Sequence, residues 1–447
     1  MRQKPARIAV IGAGIAGLTA AYTLQKRGFE VQVFEREATP GGRMRSERHG
    51  EFVIERGAQF IASSYRNMRA LATELGIADI IEPLSDTRNA VLRGGEFVLT
   101  DYEGFGALRK SRDLSLPTKL RLLGLAWPLW RNWKRLDFYH PERAARLDTE
   151  SAAAYAERRF GREALDYLIE PAFAGTFTVL PEGMSKAFML STLATVLRGF
   201  RLLSFRGGNG VLTRTLAERV PVRLGAAVER VEAGDKGATV RIAGEKPAKF
   251  DAAVVAVPGN AVGALCSSLT ERERGFFEGV RYASSIIAFV LAGPEALPPF
   301  YGAGMTRRES VRLYGMAVEN AKAGVVPPGK TLFNCAFAED LAAELMNQPD
   351  DVAKAALMGE LRKLPLRGLD TIEEVVIHRW PALVPQFYAG YHKALRRFFR
   401  RRERTGRLFF AGDYLVGPYT EAALTSGLRA AEDVGQYFAT QGAVALP

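Results

Sequence analysis

"VIGAGIAGLTAAY" occupies Val10–Tyr22, and its reading decides the fold. Gly12, Gly14 and Gly17 stand at G-x-G-x-x-G spacing, with Ala16 just before the last of them. In front lies "ARIAVI", a β-type apolar run. Behind lies "LTAAYTLQKRG", a helical pattern stopped by Gly28. Strand, glycine turn and helix in that order predict a dinucleotide-binding unit. The first glycine makes the tight turn, the second lets backbone approach a pyrophosphate, and the third lets helix pack on strand. The helix N-terminus offers free N–H groups and partial positive charge to phosphate. A second β run, "EVQVFE", ends at Glu35. That acid lies about 20 residues past the glycines, where a ribose-binding carboxylate belongs. A mere packing turn explains the glycines but not Glu35.

At 447 residues the chain exceeds one compact core, so about two or three domains are expected. A hydrophobic content of 47% with 25% charged residues puts it among folded globular proteins. Cys266 and Cys335 are far apart and outside any C-x-x-C pattern, which points to a reducing, cytoplasmic setting. His49, His140, His378 and His392 form no metal-ligand spacing, so neither a metal site nor a Ser-His-Asp hydrolase is expected. The first 21 residues imitate a secretory signal. Cleavage there would destroy the glycine turn, so export is rejected. No uncharged apolar run approaches the length of a spanning helix. The net charge is +12, with a dense arginine run at 396–407. That run reads as a solvated face, with a membrane-surface or acidic-partner patch as the alternative. No nucleic-acid motif accompanies it.

After Glu35 and Arg36 comes "REATPGGRMRSER", with Gly41, Gly42 and Arg43. A second glycine pair beside guanidinium groups suits a long cofactor contacted again along its pyrophosphate, since arginine forms forked hydrogen bonds with phosphate. "GEFVIERGAQFIAS" reads as a short strand pair leading to a turn at Gly57. Residues 65–200 read as largely helical from apolar spacings of three and four. β alternation returns over 220–244 and in "FDAAVVAVP" (250–258). The last instalment is "GRLFFAGDYLVGPYTEAALTSGLRAAEDVGQYFA", a strand, a Gly-Asp turn and a helix opening near Thr420. Between them, 276–394 holds the β-like runs "YASSIIAFVLAG" and "IEEVVIHRW" and the helical run "DVAKAALMGELRKL".

Three pieces of the chain resemble the flavin amine oxidase superfamily of FAD-dependent amine oxidases, protoporphyrinogen oxidases and carotenoid desaturases. They are the 10–46 stretch through "GGRMRS", "VVAVP", and "FFAGDYLVGPYTEAALTSGLRAAEDV". The resemblance implies an α/β fold. A Rossmann-type FAD-binding domain (1–75, 203–275 and 395–440) is assembled from discontinuous segments beside a second, α+β substrate-binding domain (76–202 and 276–394). It implies that Gly12, Gly14, Ala16, Gly17, Glu35, Arg36, Gly42, Arg43, Val228, Gly412, Asp413, Glu421 and Ala422 bind FAD. The "YTEAAL" helix start would face the flavin ring.

Within the superfamily, the middle of the chain is most similar to protoporphyrinogen oxidases. The carriers are "LIEPAFAGTFTVLPEGMSKAF" (168–188), where Phe177 replaces the usual tyrosine, "LSFRGGNGVLTRTLAERV" (203–220) and "HRWPALVPQFYAGYHKAL" (378–395). The "DYLVGPYTEAAL" ending is closer to desaturases and amine oxidases. The resemblance implies oxidation of a bulky apolar or aromatic small molecule, with dioxygen or a quinone as electron acceptor. Amine or amino-acid oxidation, polyene desaturation, and a flavin-binding scaffold without turnover are the alternatives. Tyr419, Trp380, Phe387 and Tyr388 are the pocket candidates, each with core packing as the plainer role. No catalytic residue is assigned. In "TKLRLLGLAWPLWRNWKRLDFY" (118–139), Trp127, Trp130 and Trp133 lie among leucines, flanked by lysine and arginine. It reads either as an interfacial helix touching membrane peripherally or as a helix pair whose tryptophans cover the pocket, split by Pro128.

Overall fold

The computed structural model describes residues 4–100, 114–400 and 406–441. Among them a five-stranded parallel sheet runs in the order Val222–Arg223, Glu30–Phe34, Arg7–Ile11, Ala252–Val255, Leu408–Phe410. Its central members are "RIAVI" and "AAVV", and Ile8, Val10, Val254 and Val255 are fully buried. Such continuous apolar strands need cover on both faces. Helices Ile15–Lys26 and Thr420–Thr440 supply part of it and cross closely. Gly427 makes the crossing fit, because a Cβ there would stand 2.2 Å from the Ala16 carbonyl oxygen. Beside this sheet lies an antiparallel one of Val228–Gly234, Gly237–Ile242 and Ala248–Phe250.

The second large sheet has seven strands, from Ile372–Pro385 through Tyr282–Ala292, Thr331–Phe337, Leu313–Val318, Gly302–Gly304 and Asn89–Arg93 to Glu96–Thr100. All its pairings are antiparallel except Gly302–Gly304 with Asn89–Arg93. The expectation that 65–200 is largely helical holds for most of its described residues but misses three strands. Ile81–Pro83, Asn89–Arg93 and Glu96–Thr100 are strands, recruited by partners more than 100 residues away or by each other. Among the other described residues of that stretch, helices run from Arg66–Leu75 to Lys186–Leu197, joined by loops.

The Trp-rich segment forms two helices, Leu116–Leu123 and Ala126–Asn132. The break falls at Gly124–Leu125, and Pro128 sits in the first turn of the second helix, where a missing N–H costs no hydrogen bond. The tryptophans do not cover a pocket: Trp127 and Trp130 are 59% and 70% exposed and lie against one another. Leu116, Leu120 and Leu123 are exposed with them. Among the described residues no helix is long and apolar enough to cross a membrane. Of the arginine run at 396–407, positions 401–405 lie outside the described residues.

Candidate active site

The three glycines of the first turn do different work. Gly12 has φ +106°, and a Cβ there would stand 2.8 Å from the Ala256 carbonyl oxygen. A Cβ on Gly17 would stand 2.0 Å from the Gly12 carbonyl oxygen, so only glycine lets the helix pack on its own turn. Gly14 faces open space and lines a cavity. A second loop is hooked to the first: Gly41 N–H donates to the Ala13 carbonyl at 2.8 Å, and a Cβ on Gly42 would stand 3.4 Å from the Gly14 α-carbon. Left-handed φ values of +114° and +54° at Gly41 and Gly42 allow that approach. Glu35 follows the second strand. Its Oε2 accepts the Ala13 N–H at 2.7 Å and its Oε1 the Glu37 N–H at 3.0 Å. The carboxylate therefore holds the glycine turn in shape while facing the cavity. Arg36 is solvated at the cavity edge beside Glu37.

The cavity measures about 2250 Å³ and runs from this turn to the seven-stranded sheet. Gly12, Gly14, Ala16, Glu35, Arg36, Gly42, Arg43, Val228, Gly412 and Asp413 all line it. Arg43 does not present a free fork. Its Nη1 donates to Asp413 Oδ2 at 2.6 Å and to the Leu383 carbonyl at 2.8 Å. Asp413 Oδ1 in turn accepts from the Tyr282 hydroxyl at 2.8 Å. The ion pair thus ties the second glycine loop to the C-terminal turn. Gly412 N–H donates to Ser426 Oγ at 2.7 Å, which fixes that turn on the last helix.

Four expectations need correction. Glu421 does not reach the cavity. Its carboxylate accepts from the Asn67 N–H (2.7 Å), the Met68 N–H (2.8 Å) and the Tyr139 hydroxyl (2.8 Å). It caps helix Arg66–Leu75, whose own preceding residue, Tyr65, supplies no side-chain cap. Burial pushes the Glu421 carboxyl up to about 7 despite these bonds. Ala422 is fully buried in the core, and the helix start meets the cavity through Pro418, Tyr419, Thr420 and Ala423 instead. Phe387 is 1% exposed and packs on Phe188, Tyr391 and His392, away from the cavity. Tyr388 donates its hydroxyl to the Gly279 carbonyl at 2.8 Å and also stands outside the lining.

Trp380 and Tyr419 do line the cavity. Trp380 donates its indole N–H to the Arg56 carbonyl at 2.8 Å. Tyr419 stacks on Phe138, with ring centroids 4.1 Å apart, and donates its hydroxyl to the Phe138 carbonyl. The sequence reading missed Phe138 and Tyr65, which complete this aromatic wall, and Gln59, Tyr301 and Asn334, which add polar groups. Gln59 could have been found, since it directly follows the Gly57 turn. Phe173 and Phe177 extend the apolar side.

A strand–glycine–helix turn, a carboxylate at the end of the second strand and a second glycine loop around one cavity define a dinucleotide-binding flavoprotein. The model of the flavin containing amine oxidoreductase family matches residues 15–435, and the chain belongs to that family. The cofactor is FAD, and the residues fit it: the open face of Gly14 admits backbone-close phosphate, and Glu35 stands beside it. Mitochondrial protoporphyrinogen oxidase of Nicotiana tabacum is 36% identical over 180 residues, which are 40% of this chain and 34% of that protein. The match to that relative therefore spans about a third of its length. Coproporphyrinogen III oxidase of Bacillus subtilis (strain 168) is 20% identical over 435 residues, covering 87% of this chain and 89% of that one. Cyclohexylamine oxidase from Brevibacterium oxydans IH-35A shares the fold, with a TM-score of 0.77 at 17% identity, over 97% of this chain and 100% of that one.

Proposed function

We propose that the protein is an FAD-dependent oxidoreductase acting on a bulky apolar or aromatic small molecule, protoporphyrinogen oxidase-like. One observation carries this reading: a single cavity joins the glycine turn to a wall built from Phe138, Tyr419, Phe173 and Phe177. FAD, when bound, supplies a hydride acceptor; substrate orientation matters more than a side-chain base. Residues 1–75, 203–275 and 395–440 would hold the cofactor, and 76–202 with 276–394 the substrate. Gly12, Gly14, Gly42 and Val228 line the cofactor end, with Glu35 on the adenosine ribose. Gly17 acts by letting the helix close on the turn. The Arg43–Asp413 pair holds the two loops together. The start of helix Thr420–Thr440 brings partial positive charge to the cavity, and Glu421 turns its own carboxylate away from it. Trp380 and the stacked Tyr419–Phe138 pair would exclude water and orient a flat substrate.

Amine oxidation is the second reading, favoured by Tyr419 at the cavity wall. Electrons would pass to dioxygen or a quinone. The exposed Leu116, Leu120, Leu123, Trp127 and Trp130 would rest on a membrane surface, where apolar substrates partition. The test is anaerobic bleaching of the FAD-loaded protein, followed by peroxide release in air. The panel is protoporphyrinogen IX, coproporphyrinogen III, cyclohexylamine and a polyene. Bleaching by a porphyrinogen is expected. Bleaching by the amine alone would favour the second reading, and bleaching by none would leave a flavin-binding scaffold.

A further inference from the structure

A polar notch interrupts the sheet face of the cavity. Asn334 sits mid-strand in "TLFNCAF", Thr331–Phe337, in which every residue is buried. Its cavity-lining neighbours on that face include Ile287, Ala317 and Ala336, all apolar. The Asn334 amide nitrogen donates to Glu319 Oε1 at 2.8 Å and to Gln59 Oε1 at 3.1 Å. Glu319 is paired with Lys322, and both side chains have no solvent exposure. Lys322 also leans toward Gln59 Oε1 at 3.5 Å.

This pair decides which way the asparagine faces. An ionised carboxylate only accepts hydrogen bonds, so the NH₂ end of Asn334 is held on Glu319. The carbonyl oxygen is left to point elsewhere. Among the described residues no donor is recorded on Asn334 Oδ1, and Asn334 lines the cavity. Tyr301, 4% exposed and also lining the cavity, has a buried hydroxyl with no partner. A ligand that fills this end of the cavity displaces water from the Asn334 carbonyl, and a ligand N–H supplies the donor that it would otherwise lose. A ring N–H suits it best, because it donates once and brings no lone pair to leave unpaired against apolar walls.

We propose that Asn334, oriented by the buried Glu319–Lys322 pair, is a specificity residue that selects ligands presenting a neutral ring N–H to the sheet face of the cavity. This rests on the reading that the cavity takes an apolar small molecule beside FAD. Asn334 touches the ligand, whereas Glu319 and Lys322 act through it as positioning residues.

The test uses the FAD-loaded protein and three rigid tricyclic probes of similar shape: carbazole (N–H), fluorene (CH₂) and 9-fluorenone (C=O). Affinity is read from the flavin absorption band and from probe fluorescence. Carbazole should bind about three- to tenfold more tightly than fluorene, the range of one neutral hydrogen bond. Asn334→Leu should remove that preference while fluorene affinity holds, which also reports that the variant is folded. Glu319→Gln, whose amide can donate, should free Asn334 to turn over, shrinking the carbazole preference and improving fluorenone. Equal binding of carbazole and fluorene to the unmodified protein overturns the proposal. So does a carbazole preference that survives Asn334→Leu, or tighter binding of 9-fluorenone than of carbazole to the unmodified protein. An N–H preference without bleaching by any substrate would sink the proposed oxidation and leave this inference standing. Bleaching without the preference would do the reverse.

Discussion

Removing the Glu35 carboxylate should weaken FAD binding and loosen the glycine turn, and the two effects can be measured apart. Glu35 accepts two backbone N–H groups, at 2.7 Å from Ala13 and 3.0 Å from Glu37. Ala13 is fully buried, so its N–H has no water to fall back on in Glu35→Ala. An unsatisfied buried donor costs about 1–3 kcal/mol. That part appears in the apoprotein as a lower Tm. The second part is the proposed charge-assisted bond to the adenosine ribose, about 1.5–3 kcal/mol, or a loss of roughly 10- to 150-fold in FAD affinity. FMN has no adenosine, so it feels the turn but not the ribose. Titration of apoprotein with both flavins should show the FAD-to-FMN affinity ratio collapsing in Glu35→Ala. An unchanged ratio alongside a lowered Tm would make Glu35 a turn residue and nothing more.

Asp413→Asn should destabilise the protein by about 3 kcal/mol in urea unfolding, the low end for breaking a buried pair because Arg43 retains some exposure. Pairing it with Arg43→Met should recover part of the loss, and a loss no smaller in the double variant would contradict the coupling. Burial pushes the Glu55 and Glu421 carboxyls up to about 7. Their folded pKa values lie above the unfolded ones, so their contribution is greatest below pH 4.5 and disappears as pH rises through 7. His378 and His392, pushed down to about 4 by burial, act the other way, but only between pH 4 and 6.5. From pH 6.5 to 8 the unfolding free energy should therefore fall, by up to the order of 1 kcal/mol per pH unit per carboxyl, and the Tm with it. Glu421→Gln should flatten the slope, and a rising Tm would refute the assignment. Trp127→Ser with Trp130→Ser should abolish co-sedimentation with anionic liposomes while FAD stays bound. Sedimentation that ignores these changes and vanishes in moderate salt would reveal basic-patch adhesion instead.

The nucleotide-binding half was legible because its signals are local. Strand, glycine spacing, helix and acid all fall within residues 7–35; Gly12 and Gly17 have steric reasons within that unit or against Ala256, and Gly14 opens onto the cavity. The substrate half depends on partners distant in the chain. Nothing in "NAVLR" announces that it will pair with Gly302–Gly304, so local pattern alone merges 89–100 with the helical stretch around it. Aromatic residues mark apolar surroundings but not which side of a wall they occupy, and Phe387 and Tyr388 went to the core side. Glu421 stands where the motif put it. Its carboxylate was drawn off by three donors on other elements, which no motif encodes.

The order of strands in the parallel sheet also sets a timetable for biosynthesis. Arg7–Ile11 pairs with Ala252–Val255, which pairs with Leu408–Phe410. A ribosome adding about 5–20 residues per second needs roughly 20–80 s to travel from the first of these strands to the last. For roughly 12–50 s of it, until Ala252–Val255 is made, one edge of the first strand has no neighbour, and to the end of it the turn carrying Asp413 has yet to be made. The nascent chain is therefore a client for chaperones before it is a receptor for flavin. Slower synthesis with ample flavin at hand should raise the yield of loaded protein more than it raises total protein.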